Sequence, residues 1–176
     1  MNGVHIRVAQ AEEGQVADLA RLHHEHLRFH EAFDHRYKPL PPRNYESVYQ
    51  ELLRDPLAAV LCARDGQGRI VGFVTLRLHS DAGGSQRPAW LPGRRRAPKS
   101  TGSGTLVDLF VAEPARRQGV GGALVAEAMR WFRAQGVTDV NLGVMAANDA
   151  GRAFWRRMGF GEYRILMRRL LDDEAT

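Results

Sequence analysis

The sequence predicts a single domain of the α/β (α+β) class, and three observations support this. Runs rich in β-branched and aromatic residues alternate along the chain with stretches that repeat apolar residues at helical spacing. The length of 176 residues suffices for one domain with a proper core and is short for two. No internal repeat or domain boundary divides residues 1–176. The predicted order of elements is β-α-α-β-β-β-α-β-α-β.

The first three predicted elements are a strand and two helices. Residues 4–9 have the composition of a short strand, and residues 11–30 repeat apolar side chains at helical spacing. Prolines at positions 39, 41 and 42 then interrupt regular structure. A second helix is predicted over residues 45–54, and it ends at Asp55-Pro56 because proline cannot continue a helix.

Three strands and one long loop follow. Residues 58–63 and 70–78 are rich in strand-forming side chains, and the glycine-containing turn between them indicates a hairpin. Residues 80–103 are rich in Gly, Pro, Ser and Arg without periodicity, so a long, flexible loop is expected there. Residues 105–111 are apolar enough to form a central strand.

The C-terminal part is predicted to form a helix, a strand, a helix and a last strand. Residues 121–134 place apolar side chains on one helical face, and residues 140–145 alternate apolar positions as a strand does. Asn148 is a favourable N-cap for the next helix, and Gly159 suits its C′ position. Residues 162–170 then form the closing strand.

Composition favours an ordinary globular protein of the cytoplasm. The chain is 44% hydrophobic and 26% charged, and no segment approaches the roughly 20 consecutive apolar residues of a membrane span. The N-terminus shows no signal-peptide pattern. The single cysteine, Cys62, cannot form an internal disulfide, which fits a reducing compartment.

The net charge of +5 is clustered rather than spread. The basic clusters are a loop cluster within residues 93–99, a pair at Arg116 and Arg117, and a third group at Arg152, Arg156 and Arg157. Neither a long basic face with interleaved aromatics nor a recognised motif supports nucleic-acid binding. The clusters therefore indicate partly solvated charge and partly attraction for a polyanionic cofactor.

The most informative segment is the turn Arg116-x-x-Gly119-x-Gly121 between a predicted strand and a predicted helix. Glycines at such a turn let the backbone approach a ligand closely, and the first N–H groups of the helix point outward unpaired. These donors, the positive end of the helix dipole and the arginines favour a bound phosphate.

Two other phosphate-binding motifs fit this turn less well. A nucleotide P-loop ends in Gly-Lys-Ser/Thr, which is absent here. A dinucleotide fingerprint requires a third small residue where Leu124 stands, and an acidic residue at the end of the next strand. Asp139 lies at a suitable separation, but it precedes the predicted strand 140–145 and is expected at the wrong end.

The turn instead resembles the acyl-CoA signature Arg/Gln-x-x-Gly-x-Gly/Ala of the GNAT superfamily of N-acetyltransferases. A second block, from Asn148 through Phe154-Trp155 to Gly159-Phe160, resembles the family's later segment in the expected order. The resemblance covers most of the chain. It implies a mixed, mostly antiparallel central sheet of six to seven strands flanked by about four helices, with acetyl-CoA as co-substrate and a homodimer as the common assembly.

The resemblance also implies the cofactor contacts. In the family, pantetheine pairs with the main chain of the strand before the turn, and pyrophosphate lies on the turn itself. The corresponding positions here are Leu109, Phe110, Val111, Arg116, Arg117, Gln118, Gly119, Val120, Gly121, Gly122, Asn148, Phe154 and Trp155.

The catalytic assignments rest on fewer signals. Asp108 lies inside an apolar strand, where burial would raise its pKa and suit it to act as a base; Glu113 is the weaker alternative. Trp155 stands where many family members have a tyrosine that protonates the leaving thiolate, and an indole N–H cannot do so. Either the thiolate leaves unassisted or another residue, such as Tyr163, substitutes. Asn148 matches a family asparagine that binds the cofactor or a water.

The acceptor region is predicted at the first helix and the loop that follows it, with Phe29, Phe33 and Asp34 as candidate contacts. His23, His26 and His30 share one helical face, but no further ligand completes a metal set, so no metal is expected. The expected activity is acetyl transfer to a primary amine in a ternary complex: a small-molecule amine, polyamine, aminoglycoside or peptide. The alternative is an acyl-CoA-binding sensory or interaction protein with little catalysis.

Overall fold

A five-stranded sheet forms the centre of the molecule in the computed structural model, which describes residues 6–79 and 102–169. The strands lie side by side in chain order. Pairing is antiparallel from the first strand to the fourth and parallel between the fourth and the fifth. The strands are β1 (Arg7–Gln10), β2 (Ala58–Arg64), β3 (Ile70–His79), β4 (Gly102–Val111) and β5 (Val137–Leu142). The prediction of a mixed, mostly antiparallel sheet is confirmed.

Within the described residues, four helices cover the two faces of this sheet, which agrees with the predicted number of about four. They are α1 (Val16–Glu31), α2 (Arg43–Arg54), α3 (Val120–Ala134) and α4 (Asp149–Arg157). Because side chains alternate along a strand, Cys62 of β2 joins the core beneath α1 and α2, while its neighbour Leu61 joins the core beneath α3.

The helices form where the apolar periodicity predicts them. In α1 the buried positions include Val16, Leu19, Ala20 and Leu22, and His26 is a buried polar exception on the same helix. In α3, Leu124, Ala128 and Phe132 are buried against the sheet. The helix predicted over 11–30 begins instead at Val16, after a short 3-10 turn at Glu13–Gln15.

The prediction of a closing strand at 162–170 is wrong for the described residues, since residues 161–169 have no regular secondary structure. The large apolar side chains of this segment are exposed: Tyr163, Ile165, Leu166 and Met167. Composition alone does not make a strand, because a strand needs a neighbour to pair with. The described sheet therefore has five strands and not six or seven.

Other boundaries also differ from the prediction. The strand predicted at 140–145 is β5, Val137–Leu142, so Asp139 lies within it and Val144 lies beyond it. Parallel pairing with β4 sets these limits, and an apolar pattern alone does not report such pairing. Of the loop predicted at 80–103, residues 80–101 lie outside the described part, while Gly102 and Ser103 belong to β4. Val4 and His5 of the first predicted strand also lie outside it.

The positions of β4 and β5 open a gap at one end of the sheet. The last pair between the two strands is Leu106 with Leu142, and β4 continues to Val111. Among the described residues, this remaining part of β4 pairs with β3 alone. One backbone edge of residues 107–111 is therefore open beside the turn that leads into α3.

Candidate active site

A β-bulge in β4 decides which face Asp108 occupies. Thr75 of β3 lies opposite Asp108, but the next residue, Leu76, lies opposite Leu106, so Val107 is an extra residue in β4. Regular alternation would place Asp108 on the same side as Leu106, in the core beneath α3. The bulge moves Asp108 to the opposite face, beneath α1.

Asp108 lies between the sheet and a buried histidine of α1. Its Oδ1 is 3.8 Å from Nδ1 of His26, and a quarter of its side-chain surface is exposed. Burial raises the pKa of Asp108 to about 6. A carboxylate with such a pKa is largely ionised at neutral pH and still basic enough to accept a proton, so the prediction of a raised pKa agrees with the structure.

The histidines of α1 form a short chain of contacts. Nε2 of His26 lies 2.8 Å from Nε2 of His30, and Nδ1 of His23 lies 3.0 Å from the hydroxyl of Tyr49 in α2. Burial, and then the neighbouring His30 and His23, lower the pKa of His26 to about 3. His26 is therefore neutral at physiological pH. Within residues 6–79 and 102–169, no three His, Cys, Asp or Glu side chains are arranged to hold a metal ion.

The predicted phosphate turn has the backbone that anion binding requires. Gly119 has a φ of 81° and is the N-cap of α3, and Arg117 has a φ of 64°. The first backbone hydrogen bond of the helix is donated by the N–H of Ala123 to the carbonyl of Gly119. No side chain caps this end of α3, and its first turn carries no acidic residue. The earlier N–H groups of the helix thus remain available to a ligand.

The glycines of the turn have separate structural roles. A Cβ on Gly121 would lie 3.2 Å from the ring of Phe154, so this position is closely packed against α4. A Cβ on Gly122 would meet no atom within 4 Å, so no protein contact explains the missing side chain there. Gln118 donates a hydrogen bond from its amide to the carbonyl of Pro114, which closes the base of the turn.

The backbone of β4 presents alternate residues to the open edge. The N–H of Ala112 donates to the carbonyl of Val71 in β3, so the Val111 carbonyl in the same peptide unit points the opposite way. By alternation, the polar groups of Leu109 also face the open edge, whereas those of Phe110 face β3. Leu109 and Val111 can therefore bind a ligand through their main chains, and Phe110 only through its buried ring.

Arg116 covers part of this edge. Its Nε donates to the Val111 carbonyl at 3.0 Å, and its guanidinium lies over the rings of Phe29 and Phe110 at 5.1 and 5.6 Å. These side chains line a shallow pocket between α1 and the end of β4. Glu25, Arg28 and the weaker base candidate, Glu113, also line it.

The second predicted block forms α4 and its cap. The Asn148 side chain accepts a hydrogen bond from the N–H of Gly151 at 2.9 Å, so the N-cap prediction is confirmed. Gly159 has a φ of 88°, as a C′ glycine requires. Trp155 packs edge-on against Phe154 and Phe160 and joins the core beneath α3.

Other predicted site residues lie apart from Asp108 or already have partners. Tyr163 is 87% exposed in the irregular segment after α4, and its ring contacts Arg164. Phe29 and Phe33 pack edge-on at the end of α1. Asp34 binds Arg168 at 2.6 Å, and this hydrogen bond is the main cause of its lowered pKa.

The two basic groups within the described residues differ in whether acidic side chains pair with them. Arg152 and Arg156 both bind Glu162, at 2.9 and 2.5 Å, which partly neutralises that cluster. Arg117 is exposed on the phosphate turn. The arginine-rich loop at 93–99 lies outside the described residues.

Sequence reasoning missed the contact between His26 and Asp108. The spacing of the histidines on α1 indicates a polar helix face near the substrate entrance, and it does not predict a contact with β4. Side chains of β4 join the cores on both faces of the sheet, so its sequence has no apolar alternation that would reveal an extra residue such as Val107 without the partner strand.

Comparison with known proteins identifies the family of this fold. The Acetyltransferase (GNAT) family matches residues 19–160. The chain belongs to the GNAT family. It is therefore an acyltransferase, and the family predicted from the two motifs is confirmed.

Three individual proteins show the degree of similarity to this GNAT protein. The chain is 26% identical over 121 residues to an aminoglycoside N(6')-acetyltransferase type 1 of Serratia marcescens, which is 69% of this chain and 75% of that relative. A mutant protein from Bacillus halodurans superposes with a TM-score of 0.75 at 21% identity, covering 94% of this chain and 99% of the other. An aminoglycoside N-acetyltransferase in complex with CoA gives 0.72 at 19% identity, covering 96% and 97%. At such identities these structures support the fold alone.

Proposed function

We propose that this GNAT protein transfers the acetyl group of acetyl-CoA to a primary amine by direct attack in a ternary complex. The observation that carries the proposal is the open edge of β4, which has the uncapped N-terminus of α3 at one end and Asp108 at the other. This arrangement offers main-chain partners for an amide-containing ligand, donors for phosphate and a base near the point of reaction.

The cofactor is proposed to lie along this edge. The pantetheine amides pair with the main chains of Leu109 and Val111, and Phe110 contributes its ring. The pyrophosphate accepts hydrogen bonds from the N–H groups of residues 119–122, with Arg117 beside them. A pantetheine N–H that binds the Val111 carbonyl would displace Nε of Arg116, and the freed guanidinium would then be available to a phosphate.

Phe154 and Trp155 of α4 are proposed to hold the turn in position by packing against it. Phe154 touches the backbone at Gly121, and Trp155 holds Phe154 in place. Asn148 caps α4 and is proposed to bind the cofactor through a water, in addition to its structural bond to Gly151.

The chemistry requires few protein groups. An acceptor that arrives as an ammonium must lose a proton before attack, and Asp108 is proposed to accept it. The nitrogen then bonds to the thioester carbonyl carbon, and the C–S bond breaks. A second proton leaves the nitrogen and is taken up by the thiolate sulfur. The first proton passes from Asp108 to solvent. Because a thiol has a pKa of about 8.5, its thiolate can leave without a general acid; Tyr163 would have to move to assist.

The acceptor is proposed to be a small-molecule amine that enters between α1 and the loop after it. The relationship to an aminoglycoside acetyltransferase supports this class, as does the aromatic wall of Phe29 and Phe33. Asp34 would attract a cationic acceptor only in competition with Arg168. Polyamines, amino acids and peptide N-termini belong to the same test panel.

A second candidate is an acyl-CoA-binding protein with little catalysis. The exposed position of Tyr163 and the indole at position 155 favour it, because neither side chain supplies a general acid to the thiolate.

One experiment separates the two candidates. Release of the CoA thiol from acetyl-CoA is followed with a thiol reagent against the amine panel, and CoA affinity is measured by calorimetry. Amine-dependent release supports the transferase, and Asp108→Asn should lower kcat/KM by about 10² to 10⁴ with CoA affinity retained. CoA binding without release for any amine supports the binding protein. Full activity of Asp108→Asn would show that another group is the base.

A further inference from the structure

We propose that Nδ1 of His26 binds the acceptor amine together with Asp108, and that His30 holds His26 in the tautomer that this requires. The proposal rests on the proposed function, since it names a further residue of the same site. The amine would donate one hydrogen bond to a carboxylate oxygen of Asp108 and another to the imidazole nitrogen of His26.

The first observation is a buried nitrogen that lacks a partner. His26 is 7% exposed, and within the described residues its Nδ1 makes no hydrogen bond. A buried polar atom without a partner is destabilising, and it is usually satisfied by a ligand or a water that occupies the adjacent space. The nearest charged atom to His26 Nδ1 is Oδ1 of Asp108, which lies on the adjacent strand β4.

The second observation is the distance of 3.8 Å between His26 Nδ1 and Asp108 Oδ1. This separation exceeds a direct hydrogen bond, but a single donor nitrogen can lie about 2.9 Å from both atoms. A primary ammonium carries three N–H donors, so it can bind both atoms at once. After Asp108 accepts one proton, rotation about the C–N bond turns the resulting lone pair toward the thioester.

The third observation concerns the tautomer. His26 Nε2 lies 2.8 Å from His30 Nε2, so one of the two nitrogens donates. An N–H on Nδ1 of His26 would be drawn toward the carboxylate of Asp108 and would shorten the distance to about 2.8 Å. At 3.8 Å the two atoms do not form such a bond, so we assign the lone pair to Nδ1 and the proton to Nε2, which donates it to His30. His30 is thus a positioning residue.

The surroundings of His26 favour its neutral form. The titratable groups that face it are His23 and His30 from α1 and Asp108 from β4, while β3 contributes the ring of Phe73 and β4 that of Phe110. A neutral imidazole can accept from an ammonium, whereas an imidazolium would repel it.

The kinetic test compares His26→Phe, His30→Phe and the control His24→Gln. His24 is on the same helix, but its Nδ1 binds the carbonyl of Leu40, to which glutamine can also donate. We expect His26→Phe to raise KM for the amine about 10- to 100-fold, as loss of a hydrogen bond to a charged group does, with KM for acetyl-CoA unchanged. His30→Phe should have a smaller effect in the same direction, and His24→Gln none. Thermal unfolding checks that each variant is folded.

A second measurement needs no variant. Imidazole ¹⁵N spectra of the wild-type protein should show His26 neutral from pH 5 to 8, with the proton on Nε2. A proton on Nδ1, or a cationic His26 in this range, would overturn the proposal. So would an unchanged amine KM in folded His26→Phe while the wild type is active. An inactive wild type would instead refute the proposed function, and this inference with it.

Discussion

At the scale of single residues, the proposed base Asp108 must be ionised to accept a proton, although its burial favours the protonated form. Its carboxylate is held in a site whose burial raises its pKa from 3.8 to about 6. As a base it must be ionised, so kcat/KM should fall as the pH decreases through about 6. The pH–rate profile of the wild type should show this acid limb, and Asp108→Asn should remove it.

The same pKa makes a prediction for stability. The folded protein binds a proton more tightly at Asp108 than the unfolded chain does, so this group destabilises the fold as the pH rises from about 4 through 6. Asp108→Asn should therefore leave the Tm at pH 7.5 unchanged or raise it by a few degrees. Thermal unfolding of both proteins at pH 4 and pH 7.5 measures this. A lower Tm for the variant at pH 7.5 would show that the carboxylate has a structural role.

Trp155 is the other residue on which catalysis can be tested. Its ring packs between Phe154 and Phe160, and tyrosine is a smaller aromatic that fits the same space. We expect Trp155→Tyr to preserve or raise kcat, because a phenol can donate a proton to the thiolate and an indole cannot. Single-turnover CoA release measures this. Loss of the rate in a folded variant would contradict it.

At the scale of elements, the turn into α3 allows structural and ligand-binding roles to be separated. Gly119 has a φ of 81°, which alanine adopts only with strain, so Gly119→Ala should destabilise the protein by about 1–2 kcal/mol. Gly122 has open space at its Cβ position and lies in the helix. Gly122→Ala should leave stability unchanged or slightly raised, because alanine favours a helix.

Both substitutions should nevertheless weaken CoA binding. A Cβ at position 122 would project into the space proposed for the pyrophosphate, and strain at 119 would misalign the N–H groups. Calorimetry with CoA beside chemical denaturation gives both quantities for each variant. If Gly122→Ala binds CoA normally, the pyrophosphate lies elsewhere on the turn.

At the scale of the whole molecule, the open edge of β4 and the N-terminus of α3 should respond to CoA as one unit. A ligand that binds the folded state alone stabilises it, by about 2.7 kcal/mol at a concentration 100-fold above Kd. For a protein of this size, that raises Tm by about 5–10 °C. Thermal unfolding with and without CoA tests this, with the smaller shift expected for Gly122→Ala as the control.

No helix in the two described segments has the length and apolar character needed to cross a membrane. The homodimer stays a prediction, and sedimentation of the full chain tests it.

Much of the fold was predictable because it depends on local patterns. Local sequence signals predicted the four helices of the described residues, and the structure confirms the positive φ of Gly119 and Gly159 and the Asn148 cap. The closing strand at 162–170 was not predictable in this way, because a strand exists only where another strand pairs with it.

The sequence by itself therefore determined the family, the helices and the glycine turn that begins α3, since these follow from short-range spacing and the conformational freedom of particular glycines. The tertiary structure alone decided on which face of the sheet Asp108, the proposed base, lies. One extra residue at Val107 turns Asp108 from the α3 side to the α1 side, and packing of α1 places His26 opposite it. Register between strands and contacts between distant segments are set by the whole sheet, so no local pattern contains them.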